Sequence, residues 1–176
     1  MDIGMLILRL VVGGLMFGHG TQKLFGWFGG GGVGGTKGFF GSLGYPAAGT
    51  LAVVAGMAEA GGGLLLGTGF LTPLGAAAIT GVLFNAIVTA HWPKVWNTEG
   101  GLEFPLAMAT AAIAVAFAGP GRFSLDALAG WSLAGSTWGL VALGIGVGVG
   151  LIPLTLRALT RRTKAGANAE DERLAA

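Results

Sequence analysis

Cysteine is missing from the 176-residue chain. That excludes disulfides, thiolate nucleophiles, iron–sulfur clusters and thiolate zinc sites. Charge is also scarce. Asp, Glu, Lys and Arg make up 10% of the residues, where a water-soluble domain carries about 25%. The chain has no P-loop, flavin motif, nucleic-acid module, internal repeat or segment that would make a soluble domain. Redox chemistry would therefore need a bound cofactor or a partner, and neither a metal site nor a nucleic-acid ligand is expected. Apolar residues, by contrast, make up 53% of the chain, and the mean hydropathy is +0.75. Glycine is abundant, at 36 residues. In water this would mean floppiness, but in a bilayer it means helices packed closely through small residues.

The apolar residues fall into five runs, each long enough for a membrane helix. The first goes from Ile3 to about Leu24 and contains Arg9, His19 and Lys23. Its start is not basic and no small-residue cleavage site follows it, so it is read as a retained helix rather than a signal peptide. A glycine-rich connection, Gly26 to Pro46, is expected as a flexible loop with Phe25, Trp27, Phe28, Phe39 and Phe40 as interface anchors. The second run follows Pro46 and reaches about Leu71, with Glu59 near its middle. The third opens at Thr72-Pro73, a suitable cap and first turn, and ends near His91. The fourth spans about Leu102 to Ala118 and is stopped by Gly119-Pro120-Gly121. The fifth reaches Leu156, where Gly144, Gly146, Gly148 and Gly150 form two small-xxx-small pairs that suit helix contact, including contact between copies of the chain.

The fold expected is all-α: a polytopic membrane protein with a four-helix transmembrane bundle over residues 1–121. A connection and a fifth transmembrane helix follow over 122–158, and a charged, disordered tail over 159–176. Lys and Arg cluster in the tail and in the first and third connections, with only Arg122 on the other side. This bias expects five spans in a cell membrane, the N-terminus outside and the C-terminus cytoplasmic.

Charge inside a bilayer costs about 2.5–3.5 kcal/mol per group. Arg9 lies about 9 Å below the outer end of its helix and Glu59 about 16–18 Å below the outer end of its own. Arginine is long enough to cover much of that difference, so an Arg9–Glu59 ion pair is expected. His19 and Lys23 share one helical face with Arg9. Together with Asn85, His91 and Glu103, they should line a polar cavity near the cytoplasmic side. The candidate site is thus His19, Lys23, Glu59, Asn85, His91 and Glu103. Each also has a plainer role: the Arg9–Glu59 pair as a clamp, Lys23 snorkelling, Asn85 as interhelical glue, His91 as a helix cap.

Four stretches resemble one family. The first is Gly14-Leu15-Met16-Phe17-Gly18-His19-Gly20-Thr21-Gln22-Lys23-Leu24-Phe25-Gly26-Trp27-Phe28-Gly29-Gly30. The others are Phe39-Phe40 through Leu43-Gly44-Tyr45-Pro46, Ala55-Gly56-Met57-Ala58-Glu59-Ala60-Gly61-Gly62, and Gly100-Gly101-Leu102-Glu103-Phe104-Pro105. In order and spacing they are similar to the DoxX family, over about Leu6 to Gly121, although Leu102 stands where an aromatic is common. The resemblance implies a four-helix membrane bundle associated with redox or oxidative-stress systems. It also implies soluble partners such as a sulfurtransferase or superoxide dismutase, and singles out His19, Lys23, Glu59 and Glu103.

The expected function is a membrane redox subunit that binds quinone in the polar cavity, with imidazole or ammonium donors for the carbonyls and carboxylates for protons. The alternatives are a non-catalytic scaffold that anchors soluble redox enzymes and a small transporter, which the missing repeat disfavours. A haem held by His19 and His91 is a further alternative that two histidines support only thinly.

Overall fold

The computed structural model describes residues 2–175. Seven α-helices succeed one another: α1 (Asp2–Phe25), α2 (Gly32–Ser42), α3 (Ala48–Thr68), α4 (Thr72–Ala86), α5 (Glu103–Ala118), α6 (Leu125–Leu128) and α7 (Ser136–Ala175). No strand occurs among the described residues. A π-helical turn, Ile87–His91, extends α4. The helices α1, α3, extended α4 and α7 are each long and apolar enough to cross a bilayer. The 16 residues of α5 give about 24 Å, a little less than the hydrocarbon thickness.

The outer surface of the bundle is apolar. Ile3, Ile7, Leu10 and Val11 on α1, and Leu140, Ile145, Val149 and Ile152 on α7, are all exposed. The core beneath them is small: Val12, Met16, Leu66, Ile79, Leu83 and Val115, with alanines between. Such a distribution suits a lipid solvent, where outward leucine costs nothing and every backbone polar group must be paired within the helix.

The tightest contact is between α1 and α3, and it is made by absent side chains. A Cβ on Gly13 would lie 2.5 Å from the Gly63 carbonyl oxygen, and one on Gly63 would lie 2.5 Å from that of Gly13. Seven residues further along α1, Gly20 meets Ala60 and the Gly56 carbonyl. These pairs run in opposite senses, so the two helices are antiparallel and in backbone contact, the geometry that small residues permit in membranes.

Further pairs set the remaining directions. Gly62 and Gly75 join α3 to α4, while Gly146 and Gly150 of α7 lie against Thr80 and Gly81 of α4. Along that last contact both numbers rise together, so α7 runs parallel to α4. One of the two small-residue pairs read from α7 is thus used within the chain, whereas Gly144 and Gly148 face open space. The bundle therefore has two ends. The α1 N-terminus, the α3–α4 turn and the 119–135 connection share one. The 26–46 and 92–102 connections and the C-terminal part of α7 share the other, here called the loop end.

Three expectations change. The Gly26–Pro46 connection is not simply a loop, because α2 forms within it and packs on α1 and α3. Thr36 anchors it, its hydroxyl donating to the carbonyls of Gly32 and Lys23. The tail expected to be disordered continues α7 to Ala175. Its alanines, arginines and glutamates are good helix formers, and most of its described side chains are exposed.

The third change concerns Arg9, which pairs elsewhere than with Glu59. The expected pair assumed helix ends flush with one another. Instead α3 ends at the level of Arg9, and Glu59 lies level with Gly20, about 16 Å further along α1. Arg9 is wholly buried and donates to the Gly67 carbonyl at 3.3 Å and the Phe123 carbonyl at 2.5 Å. Its charge thus meets the C-terminal end of α3, where the helix dipole is negative. Room for the guanidinium comes from Gly69, whose φ of +64° is left-handed and whose Cβ would strike it.

Asp126 complements this arrangement. It is wholly buried and accepts from the backbone N–H groups of Leu71 and Thr72 and from the Thr72 hydroxyl, at 2.7, 3.0 and 2.7 Å. The carboxylate thereby caps the positive end of α4 from a distant part of the chain.

Gly13 and Gly14 separate close packing from mere helix propensity. A Gly13→Leu substitution should destabilise the folded protein by about 1–3 kcal/mol or more through overpacking. Gly14→Leu, at a position with nothing within 4 Å, should leave it unchanged or slightly more stable. Thermal unfolding of both variants in one detergent measures the difference; equal midpoints would refute the backbone contact.

Candidate functional site

The close approach of α1 and α3 puts the last turn of α1 beside the middle of α3. There the Lys23 ammonium pairs with the Glu59 carboxylate. Glu59 is 2% exposed, and the Lys23 side chain retains 26%. A buried carboxylate stays charged only if a cation and hydrogen bonds replace its water. Lys23 does this by reaching back from the loop end along its flexible stem.

Beside the pair is a cavity of about 480 Å³ between α3, α4 and α7, with α2 across its loop end. This is the size of a small-molecule site. Small residues line the space: Ala55 and Ala58 on α3, and Ala77 and Ala78 on α4. The rest of the wall is mostly aliphatic and aromatic, including Leu51, Val54, Leu74, Phe39 and Phe40.

Of the six site residues read from the sequence, Lys23, Glu59, Asn85 and His91 line this cavity. His19 and Glu103 are not among its lining residues. The His19 ring rests against Phe104 of α5, centroids 5.3 Å apart. Glu103 accepts from the Asn97 backbone N–H at 2.7 Å and so secures the short turn before α5. The His91 Nδ1 bonds with the Gly100 carbonyl at 2.8 Å across the same connection.

Tyr45 is a site residue that sequence reasoning did not single out. Its hydroxyl donates to the Asn85 Oδ1 at 2.5 Å, and the Asn85 amide donates to the Gly150 carbonyl at 3.1 Å. Three separate segments are thereby joined at the cavity wall. Phe40 lies 5.6 Å from the Tyr45 ring, and the Arg157 guanidinium stands 5.5 Å from the same ring's centroid. Arg157 and Arg161 both donate to the Leu43 carbonyl, at 2.7 and 3.2 Å. The available signal is the Leu43-Gly44-Tyr45-Pro46 stretch, one of those that resemble the family, which lies in a connection expected as a flexible loop. That the phenol folds back toward α4 depends on α2.

No group of His, Asp and Glu among the described residues has metal-binding geometry. What the cavity offers is one acid–base pair, a phenol–amide pair, an imidazole and the Thr89 hydroxyl, which donates to the Asn85 carbonyl, in a mostly apolar wall. Such a site can hold an amphiphilic molecule with one or two hydrogen-bonding groups.

Together the helices and the enclosed ion pair define an all-α polytopic membrane protein with an ionisable internal site. A family model described as DoxX matches residues 4–92, from α1 through the π turn, and the chain belongs to the DoxX family. A Bacillus subtilis (strain 168) protein named "Putative oxidoreductase CatD" is 31% identical over 125 residues, which is 71% of this chain and 86% of that protein. No solved structure matches the chain.

The two partners of the buried pair should not be equivalent to mutation. Lys23→Met strands the Glu59 carboxylate and should cost about 3–5 kcal/mol. Glu59→Gln leaves an ammonium that can turn to water, so its cost should be clearly smaller. The double variant should recover most of the Lys23→Met loss. Thermal-shift measurements on the three proteins test the order, and additive single losses would sink the pairing.

Proposed function

We propose that this protein is a quinone-binding membrane subunit of a redox or oxidative-stress system. The observation that carries this reading is the Lys23–Glu59 pair set in the wall of an apolar cavity. Intramembrane ionisable groups are costly and so usually functional. A quinone ring needs apolar walls, donors for its carbonyls, and proton carriers when it is reduced. Lys23 supplies a donor, Tyr45 a second by turning its hydroxyl proton from Asn85 to the ligand, Glu59 a proton acceptor, and Phe39 and Phe40 flat surface. The oxidoreductase name of the Bacillus relative agrees with this assignment.

Within this reading Asn85 is a positioning residue that orients the Tyr45 hydroxyl. His91 stands at the loop end, where protons would be exchanged with water. His19 and Glu103 serve the packing of α5 and its preceding turn. Haem would need two axial ligands at one point, and of the two histidines only His91 lines the cavity.

A second role, as an anchor for soluble redox enzymes such as a sulfurtransferase or superoxide dismutase, is supported by the exposed, charged continuation of α7 beyond Arg157. The two roles are compatible. The clustering of Lys23, Lys37, Lys94, Arg157 and Arg161 around the loop end supports a cytoplasmic location for that end and for the C-terminus in the cell membrane.

Titration of the purified protein with a ubiquinone or menaquinone analogue, read by tryptophan quenching, should give saturable binding. Tyr45→Phe should weaken it by about three- to tenfold through the loss of one hydrogen bond, and Glu59→Gln should weaken it at least as much. Absence of saturable binding by the unaltered protein would dismiss the proposal. The natural lack of cysteine makes orientation simple to check. A thiol placed by Ala165→Cys should react with an impermeant maleimide in inverted vesicles and not in intact cells; the reverse result would place the loop end outside.

A further inference from the structure

The cavity has a direction, and the direction narrows what could fill it. Along α4 its wall runs from Leu74 to His91, about 25 Å of helix. A volume of about 480 Å³ drawn out over that length is a slot, long and narrow, and not a round pocket. Its polar side chains are unevenly spread. Lys23 and Glu59 stand near the middle, while Tyr45, Asn85 and His91 stand toward the loop end. On the other half, toward Leu74, the lining residues Ala77, Ala78 and Ile145 carry no polar side-chain group.

The loop end of the slot is crossed by the Tyr45–Asn85 hydrogen bond, with Phe40 and Arg157 against the Tyr45 ring, while Phe39 there remains exposed. The flank between α3 and α7 is open as well. Val54 on α3, Leu74 on α4, and Ile145 and Val149 on α7 all line the slot, and they remain 52%, 52%, 49% and 55% exposed. At those depths in a membrane protein, an exposed surface faces acyl chains and not water.

We infer that the slot opens sideways to the bilayer between α3 and α7, and that it holds a single-tailed amphiphile. The tail lies over Ala77 and Ala78 toward Leu74, and the head is at Lys23 and Glu59. The head assignment rests on the quinone reading; the tail channel and the lateral opening rest on the shape and exposure of the walls. The small residues of the wall fit this role. Ala55 and Ala58 on α3 and Ala78 on α4 leave room that larger side chains would take. A ligand entering by the flank never crosses water.

Because the chain has no cysteine, single thiols can report on the slot. Ala78→Cys on its floor, Val149→Cys on its rim and Gly144→Cys on the open face of α7 would each carry a bimane label. The full-length proteins would be placed in nanodiscs containing nitroxide-labelled phospholipid. All three labels should be quenched. A long-tailed quinone should restore fluorescence at positions 78 and 149 and leave position 144 quenched, and the tail-less head group should restore none.

A label at 78 and at 149 that stays bright while 144 is quenched would overturn the lateral opening. Equal effects of the tailed and tail-less quinones would overturn the tail channel. If no quinone restores fluorescence but oleate does, the slot and its opening are supported and the quinone reading falls. If neither does, the slot proposal itself falls.

Discussion

Helices α1 and α3 touch backbone to backbone because Gly13 and Gly20 face Gly56 and Gly63, and both the buried ion pair and the cavity beside it exist because of that contact. Larger side chains would hold the two axes apart. Lys23 could then reach water more easily than Glu59, and the carboxylate would lose the cation that makes its burial tolerable. The same closeness leaves the far side of α3 free to form one wall of the cavity. In lipid there is no hydrophobic force to press helices together, so contact must come from close packing and from polar groups that satisfy one another. This protein uses both, at the same seam.

At the opposite end of the bundle the charges serve a different purpose. Arg9 and Asp126 do not bridge to each other; each is committed to a helix terminus. Arg9 meets the carbonyl end of α3, and Asp126 meets the amide end of α4. The α3–α4 turn therefore has its exposed backbone groups satisfied from both sides by buried side chains. The chain divides its intramembrane charge accordingly: a structural pair of helix caps at one end, and an ion pair beside an open volume in the middle.

The extent to which the site could be read beforehand differed residue by residue. Lys23, Glu59, Asn85 and His91 were legible as cavity residues because polar groups in apolar helices must face inward. Their partners were not legible. Arg9 and Glu59 match in depth only where helix ends are flush, and the stagger of α3 against α1 is a tertiary fact. His19 shares a helical face with Lys23, but that face is wide enough for one residue to turn to α5 and the other to α3. Tyr45 lies in the connection expected as a loop, and its place in the cavity depends on α2, a helix that a glycine-rich stretch does not announce.

Composition and periodicity by themselves determined the solvent, the all-α class and the need for an internal polar site. All of these come from the cost of exposing charge and backbone to hydrocarbon, which acts on each residue locally. Which charge meets which, where the volume lies and on which side it opens were decided only by tertiary structure. Those depend on the stagger and separation of helices, set by glycines whose contribution is the room they leave, and a sequence does not state which neighbour will occupy it.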